Sequence, residues 1–298
     1  IVGGEFLSNL TQLEHAVMRC DIPLGQLQHV AQWKNLTLLK LNKFPPGDFA
    51  HLSALTKLRV IHLAKTHLDP SLFATLAKCT DLEQIKLEYE VKWAPGIADD
   101  EWIQFSDVTK LTKLKKLNGL FYHPQLGSRL EYLPQSISSF KLLQLPNDVN
   151  VHFFRKLSHF SDLKTLLLDG KPQSITNDAV ESLSTLSTLI GLTISSSNYD
   201  YYPYRHWKKL RKEPNVDPVK LEALKYKCYS QLNLSTFACL TQLTRLYVQQ
   251  DPFDEEELWK LTTLRDIQSI NVGWYFDKED FHKFLSSPIE ENTTQEEN

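Results

Sequence analysis

The chain has 298 residues, of which 42% are hydrophobic and 23% charged, and its formal net charge is −3. These values are ordinary for a folded chain, and the length allows either two average domains or one elongated domain. The slight negative charge argues against a general polyanion-binding protein, so nucleic acid is not the expected partner. The sequence has no run of about 18 apolar residues, so no membrane span is expected.

The first four residues, IVGG, resemble the mature N-terminus of the trypsin-like serine proteases. That family also needs a Gly-Asp-Ser-Gly loop for its nucleophile, and this sequence contains no such run, so protease activity is not expected. No secretory signal segment is expected at this end either. Because the chain starts at Ile1 rather than Met, a further functional module outside it stays open as an alternative.

A short apolar pattern recurs along the chain, and its reference copy is LTKLRVIHL at 55–63. Other clear copies lie at 79–87, 111–119, 137–145, 160–168, 186–194, 240–248 and 264–272, and weaker copies lie at 10–18, 33–41 and 218–226. The third apolar positions of the copies are Ala16, Leu39, Ile61, Ile85, Leu117, Leu143, Leu166, Leu192, Leu224, Leu246 and Ile270. Consecutive copies are 22 to 26 residues apart, except for two steps of 32.

An L-x-x-L-x-x-L-x-L pattern with this period resembles the leucine-rich repeat family over roughly residues 7–285. The resemblance implies an α/β solenoid with a parallel sheet on its concave face and short helices on its convex face. The Asn that this family usually places after the strand is replaced here by other residues, so irregular turns are expected. We therefore predict one solenoid of about 11 irregular repeats over residues 1–285.

The end of each copy predicts a short strand with alternating side chains. In the copy at 55–63, Ile61 and Leu63 are predicted to point into the core, and Val60, His62 and Ala64 to point outward. One short strand cannot bury its apolar side alone, whereas strands stacked about 4.8 Å apart form a continuous core. A single core is therefore expected.

Three segments between copies have the features of short helices. They are 69–79, with Pro70 near its start, 176–186, which begins with capping residues, and 254–264, with acids in its first turn. Their apolar side chains fall on one side: Leu72, Phe73 and Leu76, then Val180 and Leu183, then Leu258 and Leu261. These helices are predicted to form the convex wall.

Both long steps contain inserted chain, at 90–102 and at 197–215. Inserts in a solenoid are predicted to project outward, usually on a binding face. The second insert interleaves aromatic and cationic residues, including Tyr199, Tyr201, Tyr202, Tyr204 and Arg205. Its second half also fits a convex helix from Pro203, with Trp207 and Leu210 packed inward, and base stacking on nucleic acid is a third alternative.

The outward strand positions and the second insert are predicted to contact a protein partner. The candidate contact residues are Arg19, Lys40, Asn42, His62, Lys86, Glu88, Lys116, Tyr199, Tyr201, Tyr202, Tyr204, Arg205, Arg245, Tyr247, Gln249 and Asn271. They mix both signs of charge with few aromatics on the strands, which suits a polar protein surface. The alternative is that many of them are merely solvated.

Catalytic motifs are missing from the sequence. It contains no HExxH, GxSxG, Walker or GxGxxG motif, so we predict a non-enzymatic chain with no cofactor and no metal. Cys20, Cys79, Cys228 and Cys239 lie far apart and form no CxxC pair. They are predicted to be reduced thiols rather than zinc ligands or disulfides.

Residues 286–298 hold four glutamates and no cation, and are predicted to form a disordered acidic tail. The tail is similar to the glutamate-rich C-terminal signals of bacterial effectors exported by type IV secretion, which implies an effector that acts on host proteins. A resident cytosolic scaffold is one alternative. The substrate-recognition arm of a ubiquitin ligase, with its catalytic or adaptor module outside this chain, is another. A cytoplasmic monomer is expected, in the producing cell or in a host cell.

Overall fold

Ten short strands pair side by side in one parallel sheet, and a second sheet has two strands. The computed structural model describes residues 4–21, 25–43, 48–88, 91–146, 149, 151–170, 175–195, 232–248 and 259–272. In chain order the strands are β1 (His15–Asp21), β2 (Leu38–Lys43), β3 (Val60–Ala64), β4 (His67–Leu68), β5 (Gln84–Glu88), β6 (Lys92–Trp93), β7 (Lys116–Phe121), β8 (Ser139–Leu145), β9 (Thr165–Gly170), β10 (Gly191–Ser195), β11 (Arg245–Val248) and β12 (Ser269–Val272). The two-stranded sheet is formed by β4 and β6, and the other strands form the large sheet in chain order.

Short helices connect consecutive strands and lie on the side of the core opposite the large sheet. The α-helices are α1 (Leu27–Val30), α2 (Pro70–Leu76), α3 (Pro124–Ser128), α4 (Val151–Lys156) and α5 (Asn177–Ser182). The 3-10 helices are Gly4–Asn9, Asp48–Ala54, Glu101–Lys110, Leu130–Tyr132, Leu157–His159, Leu183–Thr185, Leu234–Cys239 and Trp259–Thr263. One strand and one short helical connection per repeat is the arrangement that the sequence predicted.

The entry to each strand repeats one hydrogen-bond pattern. The backbone N–H groups of Arg59 and Val60 both donate to the Thr37 carbonyl, at 2.8 and 3.0 Å. The same sharing of one carbonyl by two N–H groups of the next repeat continues through the sheet to Gln268 and Ser269, which donate to Thr244 at 2.7 and 3.1 Å. This pattern aligns each strand with the one before it.

The apolar positions of the repeats form one continuous core. Ile61 and Leu63 are fully buried, as predicted, and Ile61 pairs with Leu39 on one side and with Ile85 on the other. The same column of buried residues runs through both ends of the large sheet. Ala64 is also buried although it was predicted to point outward, because its methyl group stands lower than the Glu88 side chain paired beside it.

Two of the predicted helices start as their sequences indicate. The Asp69 carboxylate accepts a hydrogen bond from the Leu72 N–H at 3.0 Å and caps α2, whose first residue is Pro70. The Thr176 hydroxyl accepts from the Ala179 N–H at 3.3 Å and caps α5. In the third predicted helix, residues 254–258 lie outside the described part of the chain, and Leu261 is buried in the 3-10 helix that follows.

The predicted register of the copy at 137–145 is wrong by three residues. Phe140, not Leu143, pairs with Leu117 and with Leu166, and it is 1% exposed. The segment has apolar residues in two overlapping frames, and the Lys115 carbonyl selects one of them by accepting the N–H groups of Ser138 and Ser139. Leu143 is therefore only half-buried.

β7 contains a bulge at Gly119, which is the final strand position of the copy at 111–119. Gly119 has a φ of +86°, and the register shifts between Asn118 and Leu120 so that Leu120 takes the buried place. A Cβ on Gly119 would stand 2.0 Å from the Leu87 carbonyl oxygen. The position therefore requires glycine for both its backbone conformation and its close approach to β5.

The two strands on either side of the weak copy at 218–226 pair with each other, because Gly191 of β10 lies beside Arg245 of β11. This copy begins with Pro218 instead of leucine. Residues 196–231, including this copy and the tyrosine-rich insert, lie outside the described residues.

The first insert, 90–102, packs against the helical side of the solenoid instead of projecting freely. Its β6 pairs with β4, and Val91 and Trp102 are fully buried. The ring of Trp93 lies 4.8 Å from that of Trp102 and 6.0 Å from that of Phe73. The Trp93 indole N–H also donates to the Phe121 carbonyl at 2.7 Å, which attaches the insert to the end of β7.

Replacing Trp93 with Phe tests this attachment. The change keeps an aromatic ring but removes the donor and leaves the Phe121 carbonyl without that bond, so we expect a loss of about 1 kcal/mol of unfolding free energy in urea. Ile103→Ala, at a residue that is 68% exposed just after the insert, serves as the control and is expected to change stability by less than about 0.5 kcal/mol. Equal stability of Trp93→Phe and wild type would show that the insert is not held by this bond.

Candidate functional site

The outward face of the large sheet brings side chains from all ten of its strands into two adjacent rows. The row that we call the central row contains, in order, Val17, Lys40, His62, Lys86, Asn118, Lys141, Leu167, Thr193, Tyr247 and Asn271. The row beside it, the first row, contains His15, Leu38, Val60, Gln84, Lys116, Ser139, Thr165, Gly191, Arg245 and Ser269. Parallel pairing in constant register makes both rows continuous.

The sheet brings together several residues predicted from the sequence and adds others. Lys40, His62, Lys86 and Tyr247 lie in the central row at the predicted strand positions, and Lys116 and Arg245 lie in the first row. Arg19 and Asn42 lie further along β1 and β2, where the register shifts, and the Asn42 amide donates to the Arg19 carbonyl at 3.1 Å. Only the backbone of Asn271 is described. Tyr199, Tyr201, Tyr202, Tyr204, Arg205 and Gln249 lie outside the described residues.

Lys141, Leu167 and Thr193 belong to the same face but were missed. Lys141 was missed because the wrong register of β8 placed it on the inner side. Leu167 is apolar, so its residue type does not distinguish it from a core residue. The alternation of each strand is the signal that finds all three once the register is fixed.

Glu88 joins two cations on the first half of the face. Its carboxylate lies 3.4 Å from the Lys40 Nζ, and its other oxygen contacts the Lys86 Nζ. The Glu88 side chain is only 16% exposed. The hydrogen bond from Lys86 is the main cause that holds the pKa of Glu88 below its ordinary value, and burial opposes it.

His62 lies between these two lysines in the central row. Burial lowers the pKa of His62 from its ordinary 6.5, Lys86 and Lys40 lower it further, and Glu88 raises it. Because its folded-state pKa lies below that of the unfolded chain, His62 contributes stability that is present above about 6.5 and is lost as the pH falls through the folded value.

Glu88→Gln tests the cluster formed by Lys40, His62, Lys86 and Glu88 without unfolding the sheet. Removing the one cause that raises the pKa of His62 leaves burial and two cations, so an NMR titration should give a lower His62 pKa in the variant than in wild type. Glu83→Gln is the matched control, because Glu83 pairs instead with Arg59 at 2.8 Å. An unchanged or raised His62 pKa in Glu88→Gln would contradict the cluster geometry.

The second half of the face contains a groove with a volume of about 460 Å³. Lys86, Lys141 and Arg245 supply its positive charge, and no Asp or Glu among the described residues lines it. Its floor includes small side chains at Ser139, Thr165 and Thr193, together with the bare backbone of Gly191, and the apolar Leu167. Tyr247, which is 37% exposed, stands at one end.

The described residues do not assemble a metal or thiol site. Among them, no three His, Cys, Asp or Glu side chains are grouped so that they could hold a metal ion. Cys79 is buried, which raises its pKa to about 11, and Cys239 also has a raised pKa because of burial and the nearby Glu181. Thiols that stay protonated at neutral pH are poor nucleophiles. Cys228 lies outside the described residues, and only the backbone of Cys20 is described.

Each described repeat supplies one strand of a parallel sheet and one short helical connection around a leucine column. The fold is a leucine-rich repeat solenoid. No helix within the described ranges of the solenoid is both long and apolar enough to cross a membrane.

Comparison with solved structures finds similar chains, among them the following three. An internalin from Listeria monocytogenes is 22% identical, with a TM-score of 0.48, over 89% of this chain and 76% of its own. A leucine-rich repeat protein from Leptospira interrogans is 14% identical, with a TM-score of 0.45, and the match spans 94% of this chain but less than two thirds of that protein, 66%. An internalin C2 from Listeria monocytogenes is 14% identical over 82% of this chain and 75% of its own, with a TM-score of 0.39. Comparison with protein-family models and with curated proteins gives no match.

Proposed function

We propose that this chain is a non-enzymatic interaction scaffold that binds a protein partner on the outward face of its large sheet. The observation that carries the proposal is the pair of continuous side-chain rows, which end in a groove of about 460 Å³. Such a face is preformed, because its strands are fixed by backbone pairing and by the core beneath them. A preformed surface binds with little loss of conformational entropy.

Charge supports the same conclusion. The outward positions include six cations, Arg19, Lys40, Lys86, Lys116, Lys141 and Arg245, and two carboxylates, Glu88 and Asp169. The whole chain, in contrast, has a net charge of −3. A positive face on a slightly negative chain favours partners of opposite charge and disfavours face-to-face pairing of two copies.

Filling the groove tests whether this face binds the partner. Thr193→Trp places a large ring on the groove floor without changing the charge, and Thr185→Trp places the same ring on an exposed convex position. Affinity capture with mass spectrometry should lose the specific partner in Thr193→Trp and retain it in Thr185→Trp, and the purified partner should repeat this difference in a titration. Equal capture by both folded variants would contradict the proposal.

Three further proposals concern features other than this face. Export as a bacterial effector rests on the acidic residues 286–298, which lie outside the described part of the chain. Contact through the tyrosine-rich insert concerns residues that also lie outside it, and the triple change of Tyr201, Tyr202 and Tyr204 to Ser tests it by capture and melting. A role as the recognition arm of a ubiquitin ligase requires a catalytic or adaptor module elsewhere in the full-length gene, whose sequence tests that proposal.

A further inference from the structure

The two halves of the outward face differ in how their cations are neutralised. On the first half, Lys40 and Lys86 are both bound by the Glu88 carboxylate. On the second half, Lys141 and Arg245 form no ion pair with any residue that the structure describes. Both line the groove, and the residues that the structure describes in its lining include no carboxylate. The groove therefore presents cations that can accept an acidic ligand.

The shape of the groove brings these two cations toward each other. The Nε and Nη2 atoms of Arg245 lie 3.5 and 3.6 Å from the place where a Cβ of Gly191 would stand. The guanidinium of Arg245 therefore leans over β10, in the direction of Lys141 on β8. Between them lie the low side chains of Thr165 and Thr193 and the apolar side chain of Leu167.

The distance between the cations sets the spacing of a ligand. Lys141 lies on β8, three strand-to-strand intervals from β11, which carries Arg245. The Arg245 guanidinium leans over β10, which is two intervals from β8. The two residues also lie two positions apart along the strands, or about 7 Å, so at about 4.8 Å per strand interval their separation is about 12 to 16 Å. An extended peptide advances about 3.3 Å per residue, and only residues an even number apart share one face, so carboxylates four residues apart match this separation.

We infer that the groove binds an extended acidic segment of the protein partner. Lys141 and Arg245 each bind one carboxylate of that segment, and an apolar side chain between the two acids packs on Leu167. This inference rests on the proposed function and adds the chemical class of the partner. Arg245 is the stronger contact, because a guanidinium can bind a carboxylate through two parallel hydrogen bonds.

A nucleic acid fits the same groove less well. Two cations without an acidic partner would neutralise about two phosphates, and the affinity of protein for nucleic acid depends mainly on many such contacts. The groove also contains one exposed aromatic residue, Tyr247, whereas binding of single strands usually uses several rings for stacking. An acidic peptide needs only two charge contacts and an apolar one.

Synthetic peptides of about ten residues test the inference, with two glutamates at varied spacing around a central leucine. Each has a partner peptide in which glutamine replaces both glutamates. Binding is measured by fluorescence anisotropy to wild type, to the double variant Lys141→Gln/Arg245→Gln, and to the convex control Lys78→Gln/Arg155→Gln. We expect glutamate peptides with a spacing of four residues to bind at least about tenfold more tightly than their glutamine partners. The groove variant should lose this preference, the control should keep it, and added salt should weaken it.

The outcomes separate this inference from the proposed function. Equal binding of glutamate and glutamine peptides, no binding by any peptide, or stronger binding of single-stranded DNA than of the peptides would overturn the acidic-segment inference. In those cases the proposed function still stands if Thr193→Trp alone prevents capture of the protein partner. The proposed function fails if Thr193→Trp and Thr185→Trp capture the same proteins, whatever the peptides do.

Discussion

Gly119→Ala is expected to destabilise the solenoid by about 4 kcal/mol or more. The new Cβ would stand 2.0 Å from the Leu87 carbonyl oxygen and 3.0 Å from its carbon, and both atoms belong to the backbone of the neighbouring strand. They cannot move away without breaking the pairing of β5 and β7. The φ of +86° adds strain for any residue with a side chain. Urea denaturation followed by circular dichroism measures the loss.

Gly96→Ala is the matched control for this change. Gly96 has a φ of +74°, but nothing lies within 4 Å of its Cβ position, so the control isolates the backbone strain. We expect it to cost about 1 to 2 kcal/mol. A loss of unfolding free energy in Gly119→Ala no larger than in Gly96→Ala would contradict the close approach of β7 to β5.

Leu166→Asp is expected to cost about 5 kcal/mol, because it removes a buried apolar side chain and introduces a carboxylate between neighbouring repeats. Leu166 is 2% exposed and pairs with Phe140 and Leu192 in the core column. The change is expected to lower both the melting temperature and the urea midpoint.

Leu167→Asp tests whether the cost depends on the face of the strand. Leu167 is the next residue of β9, but it points outward into the groove and is only half-buried. The same substitution there should cost about 1 kcal/mol or less, because the carboxylate remains in water. Equal costs at the two positions would show that the register of β9 is wrong.

The repeats were predictable where the pattern of leucines allows one frame. In the copy at 55–63, the alternation identifies Ile61 and Leu63 as buried without ambiguity. The copy at 137–145 allows two frames, because Phe140 and Leu142 satisfy the alternation as well as Leu143 and Leu145 do. The decision is made by hydrogen bonds to the Lys115 carbonyl in the preceding repeat, which a local pattern does not contain.

The candidate site was less predictable, because it depends on side chains of different strands. Lys40 and Glu88 come from β2 and β5, with β3 between them, and they meet because β3 has only the small Ala64 beside Glu88. The groove depends partly on the absence of a side chain at Gly191, where the Nε and Nη2 atoms of Arg245 lie 3.5 and 3.6 Å from the place of a Cβ. Neither feature can be read from the residue types that usually indicate a contact.

The shared carbonyl at each strand entry has a consequence for how this molecule can change over evolution. Thr244 and Arg245 donate to the Ile190 carbonyl at 2.9 and 3.0 Å, although a far longer stretch of chain separates them from β10 than separates most neighbouring strands. Register is therefore fixed where a strand begins, and it does not depend on the length of the connection before it. Connections can lengthen, shorten or acquire new residues while the lateral order of the outward side chains stays the same. The loops and the outward face can thus diverge as separate traits under separate selection.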